Sequence, residues 1–241
     1  MKRKKITVLT GAGVSAESGI TTFRDSDGLW ENHKVEDVAS IEGWYRNPSV
    51  VLDFYNERRA QLFTVKPNAA HMAIASLENE YDVTVVTQNV DNLHERAGST
   101  RIIHLHGELT KVRPENCCND MDGFSEETVF DIGADAIHIG DKAPNGAQLR
   151  PHIVWFGEAV PYINAAIDHV MDADVLLIVG TSLQVYPAAG LIGLHKFCRA
   201  DVPASGPPRR SPRGYLPWYP RSDAWGTPWH TGRRNRTWRS R

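Results

Sequence analysis

A chain of 241 residues, 41% hydrophobic and 23% charged, can bury one good-sized core or two unequal lobes. No apolar run reaches the ~18–20 residues of a membrane span, and three cysteines (Cys117, Cys118, Cys198) exclude a disulfide framework. The balance of 27 Lys+Arg against 29 Asp+Glu hides an asymmetry: residues 195–241 hold 11 basic and 2 acidic side chains, so an acidic body carries a basic tail.

The opening "MKRKKITVLTGAG" is basic, but its apolar run "ITVL" is too short for the ~7–15-residue core of a signal peptide. "KITVLT" reads as a strand, and a cytoplasmic location is expected. It ends in "GAGVSAESG", whose glycines mark a strand-to-helix turn. "PSVVLDFYNERRAQLF" (48–63) opens with Pro48 at a first helical turn and carries apolar residues at helical spacing. "PNAAHMAIASLENE" is a second helix, followed by strands at "YDVTVVTQN" and "RIIHLHG". "RPHIVWFGE" and "ADVLLIVGTS" are further strands, separated by a helix across "PYINAAIDHVMDA". This alternation predicts an α/β fold, a Rossmann-like, mostly parallel sheet with helices on both faces. "VLLIV" is apolar at consecutive positions, as in a strand buried on both sides. Residues 25–65 and 111–148 interrupt the pattern and are expected to form a smaller inserted lobe.

After about Leu194 the composition changes abruptly to Arg, Pro, Gly, Ser and Trp, with four of the seven tryptophans. Such a segment cannot bury enough apolar area to offset its ordering entropy. A tryptophan-rich basic tail could bind nucleic acid through phosphate contacts and stacking. The sudden switch in mid-architecture favours a frame-shifted or otherwise aberrant C-terminus instead. The expected organisation is one catalytic domain over 1–193 and a disordered tail over 194–241, with nucleic acid not expected as a partner.

Three strand-end loops carry polar chemistry. In "TGAGVSAESG" (10–19), Gly11 and Gly13 let backbone amides approach a phosphate, though tight strand–helix turns also need glycine for steric reasons alone. "TQNVDNLHERAG" (87–98) presents Gln88, Asn89 and Asp91 within four residues, where an open α/β sheet has its ligand crevice. "VGTSLQVYPAAG" (179–190) offers Thr181 and Ser182 as donors to phosphate or ribose oxygens. In "RIIHLHGELT" (101–110), His104 and His106 would share one face of an extended strand, as a metal-binding pair or as one base beside a bystander.

"GAGVSAESGITTFRD", "TQNVDNLHERAG", "HLHGEL", "PHIVWFGE" and "GTSLQVYPAAG", in this order from about Ile6 to Gly193, resemble the sirtuin family of NAD-dependent protein-lysine deacylases. The resemblance implies NAD as cofactor, acylated lysine side chains of proteins as substrates, and transfer of the acyl group to ADP-ribose with release of nicotinamide. It assigns Gly11, Ala12, Gly13, Ser15, Ala16 and Glu17 to the NAD diphosphate and adjoining ribose. Phe23 and Arg24 fall in a mobile segment over the nicotinamide end. Gln88, Asn89 and Asp91 line the ribose and carboxamide pocket, and Gly180, Thr181 and Ser182 form a second nucleotide loop. Val154, Trp155, Phe156 and Gly157 match a strand that pairs with the substrate backbone. His106 is the family's general base towards the ribose hydroxyls, suited by an imidazole pKa of about 6.5. His104 carries no fixed catalytic role and is expected to be a strand residue with a satisfied hydrogen bond.

Tyr55 and Arg58, spaced i, i+3 on a helix, resemble the Tyr-x-x-Arg pair of the sirtuin subgroup that removes acidic acyl chains such as succinyl and malonyl. Ala39 matches a small residue that leaves room for the longer chain. The competing reading is a solvated helix face with Glu57 and Arg59 as surface charges. The sequence departs from the family in two places. Cys117 and Cys118 are adjacent and have no second pair, and neither His138 nor His152 sits in a ligand motif, so no zinc is expected. The tail also stands where the family continues into strands that contact the adenosine. Two alternatives to the deacylase follow: a C-terminally damaged, catalytically impaired protein that binds NAD or ADP-ribose, and a metal hydrolase built on His104 and His106.

Overall fold

The computed structural model describes residues 2–21, 29–30, 33–116 and 128–195. The chain divides into two units, Met1–Ala200 and Asp201–Arg241, and the second lies outside the described residues, as do Phe23, Arg24, Cys117 and Cys118. In chain order the elements are β1 (Lys5–Thr10), β2 (Leu29–Trp30), β3 (His33–Lys34), α1 (Val35–Val38), α2 (Ile41–Arg46), α3 (Pro48–Leu62) and α4 (Ala69–Ser76). There follow β4 (Asp82–Thr87), α5 (Leu93–Ala97), β5 (Ile102–His104), β6 (Gly107–Pro114), β7 (Phe130–Asp131), β8 (Leu149–Ile153), α6 (Ile163–Asp172) and β9 (Val175–Val179).

The main sheet is wholly parallel, in the order β5-β4-β1-β9. Its central strands alternate between two apolar layers, as the pleat requires. Ile6, Val8, Val83 and Val85 pack with Val14 and with Ile74 of α4 on one face. Leu9 and Val86 pack with Ala166 and Val170 of α6 on the other. A second, antiparallel sheet in the order β7-β6-β8 joins α1, α2 and α3 in a smaller lobe. Its core gathers Trp44, Leu52, Phe54, Tyr55, Val112, Ile153 and Trp155. The helix starts follow local chemistry: Pro48 takes the first turn of α3 behind an Asn47 cap, and Asn68 forms a reciprocal capping box with His71 at α4.

Four expectations are corrected. "GAGVSAESG" is a turn as read, but it leads through two short 3₁₀ turns, Ala12–Val14 and Ala16–Ser18, and not into the expected helix. The "RIIHLHG" strand stops at His104, and a turn through Leu105 and His106 leads into β6 at Gly107, whose φ is +82°. "RPHIVWFGE" is no member of the parallel sheet: β8 pairs antiparallel with β6 and ends at Ile153, leaving Val154–Gly157 irregular. Last, β9 is not buried on both sides. Val175 is 38% and Ile178 37% exposed, because among the described residues β9 pairs only with β1. No helix of the described residues is long and apolar enough to cross a membrane.

Candidate active site

The C-terminal ends of β1, β4 and β9 bring the three polar loops together. Gly13 N donates to Gly180 O at 2.8 Å and Gly11 N to Val179 O at 3.2 Å, sewing the β1 loop to the β9 loop. A Cβ on Gly13 would lie 2.8 Å from Gly180 O, and one on Gly180, whose φ is +62°, only 2.2 Å from Val14 N. These glycines therefore serve close approach between loops, and the Gly11 and Gly13 amides do not point at a phosphate. The amides of Ala16 and Glu17, on exposed residues, have no backbone acceptor among the described residues.

Ser15 is fully buried and ties the β1 loop to the β4 loop. Its Oγ donates to Asp91 Oδ2 at 2.8 Å and accepts from Asn89 Nδ2 at 3.0 Å. His71 Nε2 is 3.4 Å away on the same hydroxyl. Asp91 Oδ1 also accepts from the backbone N of Leu93, the first residue of α5, so its structural and site roles coincide. Gln88 Nε2 donates to Thr181 Oγ1 at 3.0 Å, joining the β4 and β9 loops, while Ser182 is exposed at the rim.

The two histidines do different work. His106 Nδ1 lies 3.0 Å from Gln88 O. A carbonyl only accepts, so Nδ1 carries the hydrogen and Nε2 keeps its lone pair. Burial holds this imidazole below its usual pKa, against the opposing pull of the Gln88 carbonyl. His104 Nδ1 contacts Asn89 O at 3.1 Å and Nε2 contacts Glu95 Oε1 at 2.7 Å. Burial opposes its protonation, but the Glu95 hydrogen bond and charge, Glu108 and the Asn89 carbonyl outweigh it and raise its pKa. His104 is a satisfied buried residue, as expected. Among the described residues the one cluster with metal-ligand types is Glu95, His104 and Glu108, which leaves out His106. Both ring nitrogens of His104 are already engaged, by Asn89 O and Glu95 Oε1, which leaves neither for a metal shared with His106. His138 is exposed beside Asp141, and His152 is buried near Arg113 and Arg150 with its pKa pushed down to about 3 by burial, Arg113, Lys111 and Arg150.

Val154–Gly157 runs beside the His106 turn. Val154 N donates to His106 O at 2.9 Å, and Phe156 exchanges backbone bonds with Ala39 and Ile41. These amides are committed inside the chain, which limits how a substrate strand could pair here. Tyr55 is buried and its hydroxyl accepts from Trp155 Nε1 at 3.0 Å. Arg58 lies over the Phe54 ring at 4.7 Å and its Nη2 donates to Glu57 Oε2 at 3.2 Å, while its Nε and Nη1 are buried with no hydrogen-bond partner among the described residues. Arg59 is no surface charge: it is buried, donating to Leu109 O and Asn56 Oδ1, and burial lowers its pKa to about 10. Sequence reasoning missed Arg150 and read Glu158 only as the end of the substrate-pairing strand, whereas the two clasp the Trp155 segment. The available signal was an arginine inside the strand run "LRPHI", followed by the glutamate of "VWFGE".

A cleft of about 330 Å³ lined by Arg3, Glu78, Asp82 and Arg101 lies at the opposite, N-terminal ends of β1 and β4. The ligand crevice of a parallel α/β sheet lies at the other end.

This fold, with a polar crevice at the carboxyl ends of parallel strands beside a small lobe, defines a dinucleotide-dependent α/β protein. Residues 11–187 match the Sir2 family model, and the chain belongs to the Sir2 family, the sirtuins. It is 56% identical over 191 residues to an NAD-dependent protein deacylase of Bacteroides thetaiotaomicron, covering 78% of this chain and 80% of that protein. A Helicobacter pylori protein of the same name is 57% identical over 188 residues, covering 78% of each. Among solved structures, an NAD complex of a Sir2 homologue matches with a TM-score of 0.70 and 41% identity, covering 81% of this chain and 75% of that one. An ADP-ribose complex of a mutant Sir2 homologue matches with a TM-score of 0.71 and 41% identity, covering 81% and 77%.

Proposed function

We propose that this NAD-dependent protein deacylase prefers lysines carrying acyl chains that end in a carboxylate, such as succinyl or malonyl, and acts on acetyl-lysine as well. The observation that carries this reading is Arg58, whose Nε and Nη1 are buried without a partner. Glu57 Oε2 meets only Nη2, at 3.2 Å; the unpartnered Nε and Nη1 carry a desolvation cost, and a carboxylate is a group that can take both. Tyr55, one turn earlier on α3, keeps a hydroxyl hydrogen that no described residue accepts. Burial raises the Tyr55 pKa, so the hydrogen stays in place.

The loops fit the cofactor. The close approach of the β1 and β9 loops, the Ala16 and Glu17 amides with no backbone acceptor among the described residues, and the buried Ser15–Asn89–Asp91 cluster suit a diphosphate, ribose and carboxamide. When bound, NAD supplies the acceptor sugar carbon and nicotinamide as leaving group. His106, with Nδ1–H held by Gln88 O, offers Nε2 to take a proton from a ribose hydroxyl. His104 and Glu95 hold the Asn89 backbone from the other side. The proposed catalytic domain spans 1–193 and works in the cytoplasm, a reading supported by a sequence with only three cysteines.

Nicotinamide release in a single turnover with succinyl-lysine peptide and NAD tests the proposal. No release at saturating NAD removes the enzyme reading, and binding of NAD or ADP-ribose without release identifies the impaired-binder alternative.

A further inference from the structure

The indole Nε1–H of Trp155 donates to the phenolic oxygen of Tyr55 at 3.0 Å, with both rings almost wholly buried. An indole only donates, whereas a phenol has one hydrogen to give and lone pairs to accept with. With the indole on its oxygen, the Tyr55 O–H must turn elsewhere, and accepting one bond polarises it for donating the next. The hydroxyl is thus set as a donor towards any further acceptor that comes within its reach.

Trp155 is held through both its ring and its backbone. Arg150 lies over its ring at 3.5 Å, and Trp44 packs against it at 5.5 Å. The Trp155 backbone N donates to Glu158 Oε2 at 2.8 Å. Glu158 takes a bidentate fork from Arg150 at 2.6 and 3.0 Å, and Ile153 O accepts from Arg150 and Arg113. Buried ion clusters of this kind add little net stability compared with apolar packing. This one closes residues 153–158 into a fixed loop and aims the Trp155 N–H.

We propose that Trp155 is a positioning residue for acyl selectivity: its indole N–H orients the Tyr55 hydroxyl as a donor to the acyl carboxylate, and Arg150 and Glu158 hold the indole in that pose. The inference rests on the acidic-acyl reading above. A carboxylate is acceptor-only and uses such a donor, whereas an acetyl methyl presents nothing to it.

The test is a double-mutant cycle with Trp155→Phe and Tyr55→Phe, reading KM and kcat for succinyl-lysine and acetyl-lysine peptides at saturating NAD. Trp155→Phe alone is expected to raise the succinyl KM relative to the acetyl KM about 3- to 10-fold, the worth of one hydrogen bond. In the Tyr55→Phe background the same change is expected to add less than about twofold, because both variants remove one interaction. Equal factors in the two backgrounds overturn the positioning role and leave the acidic-acyl reading standing. A Tyr55→Phe variant with an unchanged succinyl-to-acetyl ratio overturns both. Should Trp155→Phe fail to fold, the indole N–H resonances of the unaltered chain decide the matter, assigned by the one that moves in Tyr55→Phe. The Trp155 signal is expected to shift with succinyl-lysine peptide and not with acetyl-lysine peptide; equal shifts, or none with either, overturn the inference.

Discussion

His106 Nδ1 and the carbonyl oxygen of Gln88 lie 3.0 Å apart, and this contact settles which ring nitrogen holds the proton. Leu105 N donates to Thr87 O, and His104 Nδ1 contacts Asn89 O, so the three successive carbonyls of Thr87, Gln88 and Asn89 meet Leu105, His106 and His104. The proposed base is therefore fixed by the backbone of the loop that carries Gln88, Asn89 and Asp91.

In that role, His106→Asn is expected to lower kcat about 10²- to 10⁴-fold, the usual range for loss of a general base. NAD binding, followed by calorimetry, is expected to persist. A variant that retains most of kcat would remove His106 from the chemistry.

The pH dependence follows from the direction of its shift. Burial holds the His106 pKa below the ordinary value of about 6.5, so the neutral base survives to lower pH than a free imidazole. The acid limb of kcat/KM is expected to lie below about 6.5. A limb centred above that value contradicts the assignment.

His104 titrates in the opposite sense. Its folded pKa is raised, chiefly by Glu95 against the cost of burial. Its contribution to stability is therefore fully present below about 6.5 and lost as pH rises through the folded value. Thermal melts of the unaltered protein should show this decline above about 6.5, and Glu95→Gln should flatten it. An identical pH dependence in both proteins would show that the pair is not coupled to folding.

Tyr55→Phe/Arg58→Met is expected to lose desuccinylation about 10- to 100-fold more than deacetylation, since a charge-assisted contact is worth about 1.5–3 kcal/mol. Steady-state kinetics with the two peptides measures the difference. Equal losses would refute the acidic-acyl assignment.

Ser15→Ala removes the hydroxyl shared by Asp91 and Asn89 and leaves both without it in a buried site. The expected cost is about 1–3 kcal/mol of stability, together with a higher KM for NAD. Urea denaturation and NAD titration check the two effects separately; an unchanged KM with lower stability would confine Ser15 to a structural role.

Local signals in the sequence were enough to locate the parallel strands, the capped helices and the polar loops at the strand ends. Pro48 and Asn68 announce helix starts by backbone chemistry, and "KITVLT" and "YDVTVVT" announce strands by β-branching, so neither needs a distant partner to be read. Other features depend on partners far along the chain. The same-face reading of His104 and His106 failed because the strand ends at His104 and the chain turns before Gly107. Arg59 looked like a surface charge, yet Leu109 O, 50 residues away, draws it into the core. "VLLIV" reads as doubly buried, but the sheet order makes β9 an edge among the described residues. By itself the sequence determined the element types, the family motifs and the residue kinds available to bind a dinucleotide, because these rest on short-range periodicity and composition. Only the tertiary structure decided which glycine amides are already occupied, which imidazole keeps a free lone pair, and that Trp155 sits on Tyr55 across 100 residues, because each of these is a contact between chain segments that local propensity cannot bring together.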